Sequence, residues 1–132
     1  MKVQSNTNPN PLTIKATDKA ILIFVENIIE EETDDGLLYS YDEYRLTVPN
    51  ATNLEKRVTD NFDVWLAKAK QDEYDKLAET IRAERNRRLA DTDYTCLADR
   101  QPSDTMVAYR QALRDLTKQK GFPYKVEWPE VV

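Results

Sequence analysis

The 132-residue sequence contains no histidine, a single cysteine and two glycines, and each scarcity removes a class of chemistry. Without histidine the usual serine triad cannot be assembled, and no glycine-rich stretch is present to cradle a phosphate. A zinc centre would need an unusual, carboxylate-rich ligand set, and scattered Asp and Glu residues do not specify a paired acid and base. The expectation is therefore no enzyme, no catalytic residue, no metal and no cofactor. Cys96 alone gives no intrachain disulfide framework, which is compatible with a reducing compartment, and its expected role is packing or none. Long hydrophobic runs are missing as well. The opening MKVQSNTNPNP has no apolar signal core, and Ala20 to Val25 is far too short for a membrane helix, so a soluble chain without a membrane partner is expected.

Positive charge is also thin. Residues 1–50 carry four basic and nine acidic groups (-5), residues 51–80 five and seven (-2), and residues 81–132 ten and eight (+2), which sum to the net charge of -5. No segment has the dense basic surface of a general nucleic-acid binder. At this length one domain with an extended arm is expected.

What the sequence does contain is order by segment. Residues 1–13, rich in Asn, Ser, Thr and Pro, read as an irregular arm, since Pro9 and Pro11 exclude a regular helix. From Lys19 to Ile29 the run AILIFVENII is suited to a strand whose side chains are covered on both sides. Glu30 to Gly36 supplies a polar turn with an Asp-Gly signal, and Leu37 to Val48 reads as the second arm of a hairpin ended by Pro49. The acidic run Glu30, Glu31, Glu32, Asp34 and Asp35 lacks the spacing of a calcium-binding hand, so it reads first as a solvated turn. A charge-complementary partner patch and a cation site are the alternatives. Tyr39, Tyr41 and Tyr44 are candidates for a partner surface, against the commoner role of aromatic residues in packing.

Between Asn53 and Leu89 neither Gly nor Pro occurs, and apolar residues recur at Leu54, Val58, Phe62, Trp65, Leu66, Ala69, Leu77, Ile81 and Leu89. This predicts a long amphipathic helix beginning near Asn53, with Thr52 and Glu55 as a capping box. It either runs unbroken or breaks near Gln71 to Asp75, where the stripe weakens. An unused part of the stripe offers a coiled-coil or oligomer interface, expected to be weak because no heptad is sustained. Asp91 to Pro102 reads as a linker. Ser103 or Asp104 then caps a second helix over residues 104–118, with Met106, Tyr109, Leu113 and Leu116 on one side, packed on the first as a helical hairpin. Lys118 and Lys120 suit its carbonyl end, Gly121 a left-handed terminating residue, and Pro123 a stop. The remaining YKVEWPEVV is an extended arm anchored by Trp128. Tyr94, Tyr109, Phe122 and Trp128 are expected to cluster with Leu89, Leu113 and Leu116.

The ordered combination RAERNRRLADTDYT followed by VAYRQALRDLTKQKGFPYKVEWP resembles the carboxy-terminal module of phage tail assembly chaperone proteins, a family also associated with tail-fibre assembly. The matching positions are Arg82, Arg85, Leu89, Asp93, Tyr94, Tyr109, Arg110, Leu113, Arg114, Gly121, Phe122, Pro123, Trp128 and Pro129, over about the last fifty residues. Where the family commonly has tryptophan after the Thr-Asp pair, this chain has Tyr94. The resemblance implies a helical module that assists folding, protection or attachment of a phage tail or tail-fibre protein, without a catalytic motif. It implies a place in the cytoplasm of an infected or lysogenic bacterium, or in the virion tail if the chain is instead a permanent structural adaptor of the tail or baseplate. Arg82, Arg85 and Arg88 approach one helical face, and Arg110 and Arg114 are four apart on the next helix, a spacing that fits acidic residues of a partner or phosphates. Interrupting carboxylates favour ion pairing, then protein recognition, with nucleic acid last.

The fold class expected is thus α+β: an amino-terminal antiparallel hairpin, a long central helix, a short second helix and an extended arm. The segments are 1–50, 51–90 and 91–132.

Overall fold

A computed structural model describes all residues, 1–132. The chain is α+β and divides into two compact units, Met1–Glu73 and Tyr74–Val132.

The first unit is built on the hairpin that the sequence announces. Strand β3 (Lys19–Thr33) and strand β4 (Gly36–Pro49) pair antiparallel through a two-residue Asp34–Asp35 turn. Gly36 follows at φ 114, a conformation that side chains resist, which explains glycine at this position. Midway, Asn27 and Ile28 together oppose Tyr41, because Glu26 pairs with Asp42 and Ile29 with Ser40. Asn27 accommodates this bulge at φ 57, in the left-handed region that asparagine tolerates, and its amide donates to Asp42 Oδ2 at 2.9 Å.

The amino-terminal residues are not an irregular arm. Strand β1 (Lys2–Ser5) pairs with β4 and strand β2 (Leu12–Ala16) with β3, giving the order β1-β4-β3-β2. Pro9 and Pro11 exclude a helix but not strands. Pro11 lies just before β2, where its missing N–H costs nothing and its carbonyl accepts from Val25 at 3.0 Å. Because β1 and β2 occupy opposite edges, the chain from Asn6 to Pro11 has to cross the hairpin.

One face of the sheet carries Ala20, Leu22 and Phe24 of β3, all at 0% exposure. Leu12, Ile14, Tyr44, Leu46 and Val48 flank them, and Leu54, Val58, Phe62, Trp65, Leu66 and Ala69 of the helices close the core. Phe24 and Phe62 meet edge to face at 5.4 Å. The alternate residues Ile23, Val25 and Tyr41 are buried as well. The centre of the hairpin is therefore covered on both faces, as its unbroken apolar run requires.

The central helix is broken once, but not between Gln71 and Asp75. Helix α1 (Leu54–Asp60) ends at Asn61, and helix α2 (Phe62–Asp91) continues without interruption. Asn61 is the joint: its amide donates to Arg57 O at 3.1 Å, while its carbonyl accepts from Val64 and Trp65 at 3.1 and 3.2 Å. The Thr52–Glu55 capping box does not form either. Asn53 takes the cap position at φ 60 without a side-chain bond, so local backbone shape rather than a hydroxyl starts α1. No helix is long and apolar enough to cross a membrane.

The second unit contains the rest of α2, a 3-10 turn (Asp93–Cys96), helix α3 (Asp104–Arg114) and a second 3-10 turn (Leu116–Lys118). Ser103 caps α3, its Oγ accepting from Met106 N at 3.2 Å. Helix α3 is shorter than residues 104–118 because Asp115 ends the α geometry. Gly121 does not adopt the left-handed conformation expected of it; Gly36 is the glycine with positive φ. Its small size is used differently, since a Cβ there would lie 2.5 Å from the Lys125 carbonyl oxygen.

Candidate functional site

In the second unit Tyr109, Leu113, Leu116 and Pro123 are buried, and Leu89, Phe122, Trp128 and Pro129 are half-buried. Full burial of a leucine side chain contributes about 1.5–3 kcal/mol, so Leu113 and Leu116, both at 0% exposure, dominate the packing. Tyr94 departs from the expected cluster: it is 54% exposed, and the Arg100 guanidinium lies 5.4 Å from its ring centre. Its phenol oxygen favours water where an indole at this position would have more apolar surface to bury.

Arg110 sits inside this unit rather than on a partner-facing surface. Its Nη1 donates to Leu89 O at 2.8 Å and Thr92 Oγ1 at 2.7 Å, and its Nη2 donates to Asp93 Oδ1 at 2.9 Å. Leu89 O is among the last carbonyls of α2, which have no intrahelical donor, so Arg110 fastens α3 to the end of α2. Replacing Arg110 by methionine preserves bulk but removes these three bonds, leaving Leu89 O to the Thr92 N–H and hydroxyl. The expected cost is about 1–3 kcal/mol, measured as a lower urea midpoint. An unchanged midpoint would show that the bonds are exchanged for water without loss.

The other predicted arginines form a rim. Arg82 lies 5.4 Å from the Phe122 ring centre and Arg88 4.2 Å from that of Trp128. Arg85 donates through Nε and Nη2 to Asn86 Oδ1, and Arg114 is exposed. Arg82 and Arg114 thus keep their charged ends in water, while Arg88 is tied by Nε to Glu84 at 2.9 Å. Glu84 is the hub that spacing alone did not single out. It accepts from Arg87 at 2.9 and 2.7 Å, and Arg87 also reaches Asp91 at 2.8 Å. The signal was present as Glu84 standing three and four residues before Arg87 and Arg88.

Hydrogen bonds from Arg87, then Arg88, hold the Glu84 carboxyl down to about 2 from an ordinary 4.5. Because the folded value is the lower, the linked stability is complete above pH 4.5 and is lost as pH falls toward 2. Carbon-detected titration of Glu84 should show this low midpoint, rising with added salt as the exposed charges are screened. A midpoint at 4.5 in low salt would mean that the arginines do not hold it. Arg87 is held protonated more firmly still by the same carboxylate.

The terminal arm is secured by two bonds that composition did not reveal. Gln119 Nε2 donates to Glu127 O at 2.8 Å, and Glu127 N donates to Gln119 Oε1 at 2.7 Å. One amide side chain thereby acts as a strand partner for the arm. Tyr124 and Tyr74 stack edge to face at 6.2 Å.

In the first unit, the three candidate tyrosines do not share a surface. Strand alternation puts Tyr39 and Tyr41 on one face of β4 and Tyr44 on the other, where it joins the core. Tyr41 is buried, and Tyr44 is half-buried with Lys70 Nζ 5.4 Å from its ring centre. Burial, with Asp42 next in effect, pushes the Tyr44 hydroxyl above its usual range. Lys70 in turn is held protonated by its bond to Glu26. Of the three, Tyr39 has the most independent place, on the unit's outer face beyond the bulge.

Residues 78–131 match the family described as phage tail assembly chaperone protein. The match lies wholly within the second unit and stops short of the sheet. Comparison with curated proteins and with solved structures finds no match.

Proposed function

Taking that family match as the premise, we propose that the chain is a phage tail assembly chaperone that binds a tail or tail-fibre polypeptide and promotes its assembly without a covalent step. The single observation that carries this reading is the match over residues 78–131, which includes nearly the whole second unit. The geometry supports it in a specific way. Arg110 and Gln119 are consumed in holding the unit together and Glu84 in pairing along α2, while exposed Arg82 and Arg114 and half-buried Arg85 are offered to acidic residues of the partner. Such a role places the protein in the cytoplasm of the infected or lysogenic bacterium during assembly.

The test is co-expression with each neighbouring tail-gene product, followed by affinity capture and quantitative mass spectrometry of nascent complexes and finished particles. Transient capture with a higher yield of soluble fibre or tail protein is the expected result. Retention at fixed stoichiometry in particles, through a persistent interface of about 1,000 Å² or more, would make the chain a structural adaptor instead. Specific capture of no tail polypeptide would overturn both.

A further inference from the structure

Beyond the bulge the sheet loses β2, and past Glu30 and Tyr39 it is reduced to two strands. β2 pairs with β3 no further than Phe24, with one more bond from Val25 to Pro11, and β1 pairs with β4 no further than Ser5 and Tyr39. From Glu26 to Thr33 the outer edge of β3 therefore has no neighbouring strand. The Asp34–Asp35 turn closes on Thr33 and Gly36, so alternation directs the backbone groups of Thr33, Glu31 and Ile29 toward β4 and those of Glu30 and Glu32 outward. Side chains of the ribbon are also left open: Ile28 is 40%, Ile29 62% and Leu37 44% exposed.

Charge separates this ribbon from the body of the sheet. Glu26, Asp42, Glu43 and Glu73 each have a cationic partner: Lys70, Lys2, Arg45 and the Met1 ammonium. Glu30, Glu31, Glu32, Asp34 and Asp35 have none, and no basic residue occurs between Glu26 and Tyr44. A second copy is a poor occupant, because its ribbon repels this one and each strand of the chain carries one basic residue. The carboxylates thus keep the edge from pairing with itself and admit a strand that brings cations.

The geometry points to strand addition on the β3 edge over residues 28–33 by an extended segment of another polypeptide in which lysine or arginine alternates with apolar residues. Its backbone bonds Glu30 and Glu32, its basic side chains lie on the face shared by Glu30, Glu32 and Leu37, and its apolar side chains lie on the face of Ile29. This goes beyond the family reading, whose matched residues include none of the ribbon, and it holds whatever the second unit binds.

The probes are a decapeptide alternating lysine and valine and its counterpart N-methylated at every backbone amide, equal in charge but without N–H groups to add as a strand. Titrated into the full-length isotope-labelled protein, the first should shift the amides of residues 28–38 and slow hydrogen exchange at Glu30 and Glu32. The methylated peptide should bind about tenfold more weakly or worse, since it lacks the amide donors. The double variant Glu30→Lys, Glu32→Lys alters exposed positions only; its core resonances should stay in place while binding disappears. Equal binding of both peptides, perturbation centred away from the ribbon, or undiminished binding to the double variant would each overturn the proposal. So would light scattering that shows a dimer of the native protein which the double variant abolishes, because the occupant would then be a second copy.

Discussion

Replacing Phe24 by alanine should destabilise the amino-terminal unit by about 3–5 kcal/mol, the largest single effect expected in that unit. The side chain is at 0% exposure, pairs with Leu12 and Tyr44 across the neighbouring strands, and meets the Phe62 ring at 5.4 Å. Alanine would remove the transfer energy of the ring and leave a space that strands on both sides keep from collapsing. The edge-to-face contact adds about 0.5–1.5 kcal/mol beyond area alone. Urea unfolding followed through the Trp65 indole, which packs on this core, reads the change. The exposed Ile29→Ala serves as control and should stay within about 0.5 kcal/mol of the parent. Equal midpoints for the two variants would mean that Phe24 is not central to the core.

Leu113→Ala should have the corresponding effect in the second unit, about 2–5 kcal/mol. Leu113 is at 0% exposure and lies between Tyr109 and Leu116, the other buried apolar positions of α3 and the turn that follows. The Trp128 indole reports on this unit, since the Arg88 guanidinium covers its ring. The neighbouring Arg114→Ala removes an exposed side chain and should leave stability within about 0.5 kcal/mol. The pair also separates folding from recognition. Leu113→Ala should reduce capture of a tail polypeptide by unfolding the unit, whereas Arg114→Ala should reduce it with the unit intact. Unchanged capture by both would remove the second unit from partner binding.

The hairpin was legible because its signal is local. Apolar residues from Ala20 to Val25, a polar turn and a tyrosine-rich return lie within thirty residues and need nothing else to be read. Strands β1 and β2 were not legible, since KVQS and LTIKA are short and weakly patterned and owe their extended state to edges supplied by β3 and β4. Helix existence was clear from Asn53 onward, but its joint was not. Asn61 is a neutral residue in the helical pattern, and only its bonds to Arg57 and Val64 reveal a break. In the second unit the apolar positions Tyr109, Leu113 and Leu116 follow the period, so they were found. Arg110 was read as surface because charge suggests solvent. Its burial depends on where Leu89 O ends a helix 21 residues away, which no spacing rule encodes.

The placement of β1 and β2 at opposite edges sets an order of events on the ribosome. Strand β2 can pair with Ala20–Phe24 as soon as these residues emerge, whereas β1 must wait for Tyr39–Asp42, more than thirty residues behind it. The hairpin closes in microseconds once made, whereas synthesis at about 5–20 residues per second keeps the leading residues waiting for seconds. Throughout that interval β1 has no strand to pair with. It is only four residues long, carries Lys2 and is followed by a stretch rich in Asn and Pro, a composition that resists pairing between nascent chains on neighbouring ribosomes.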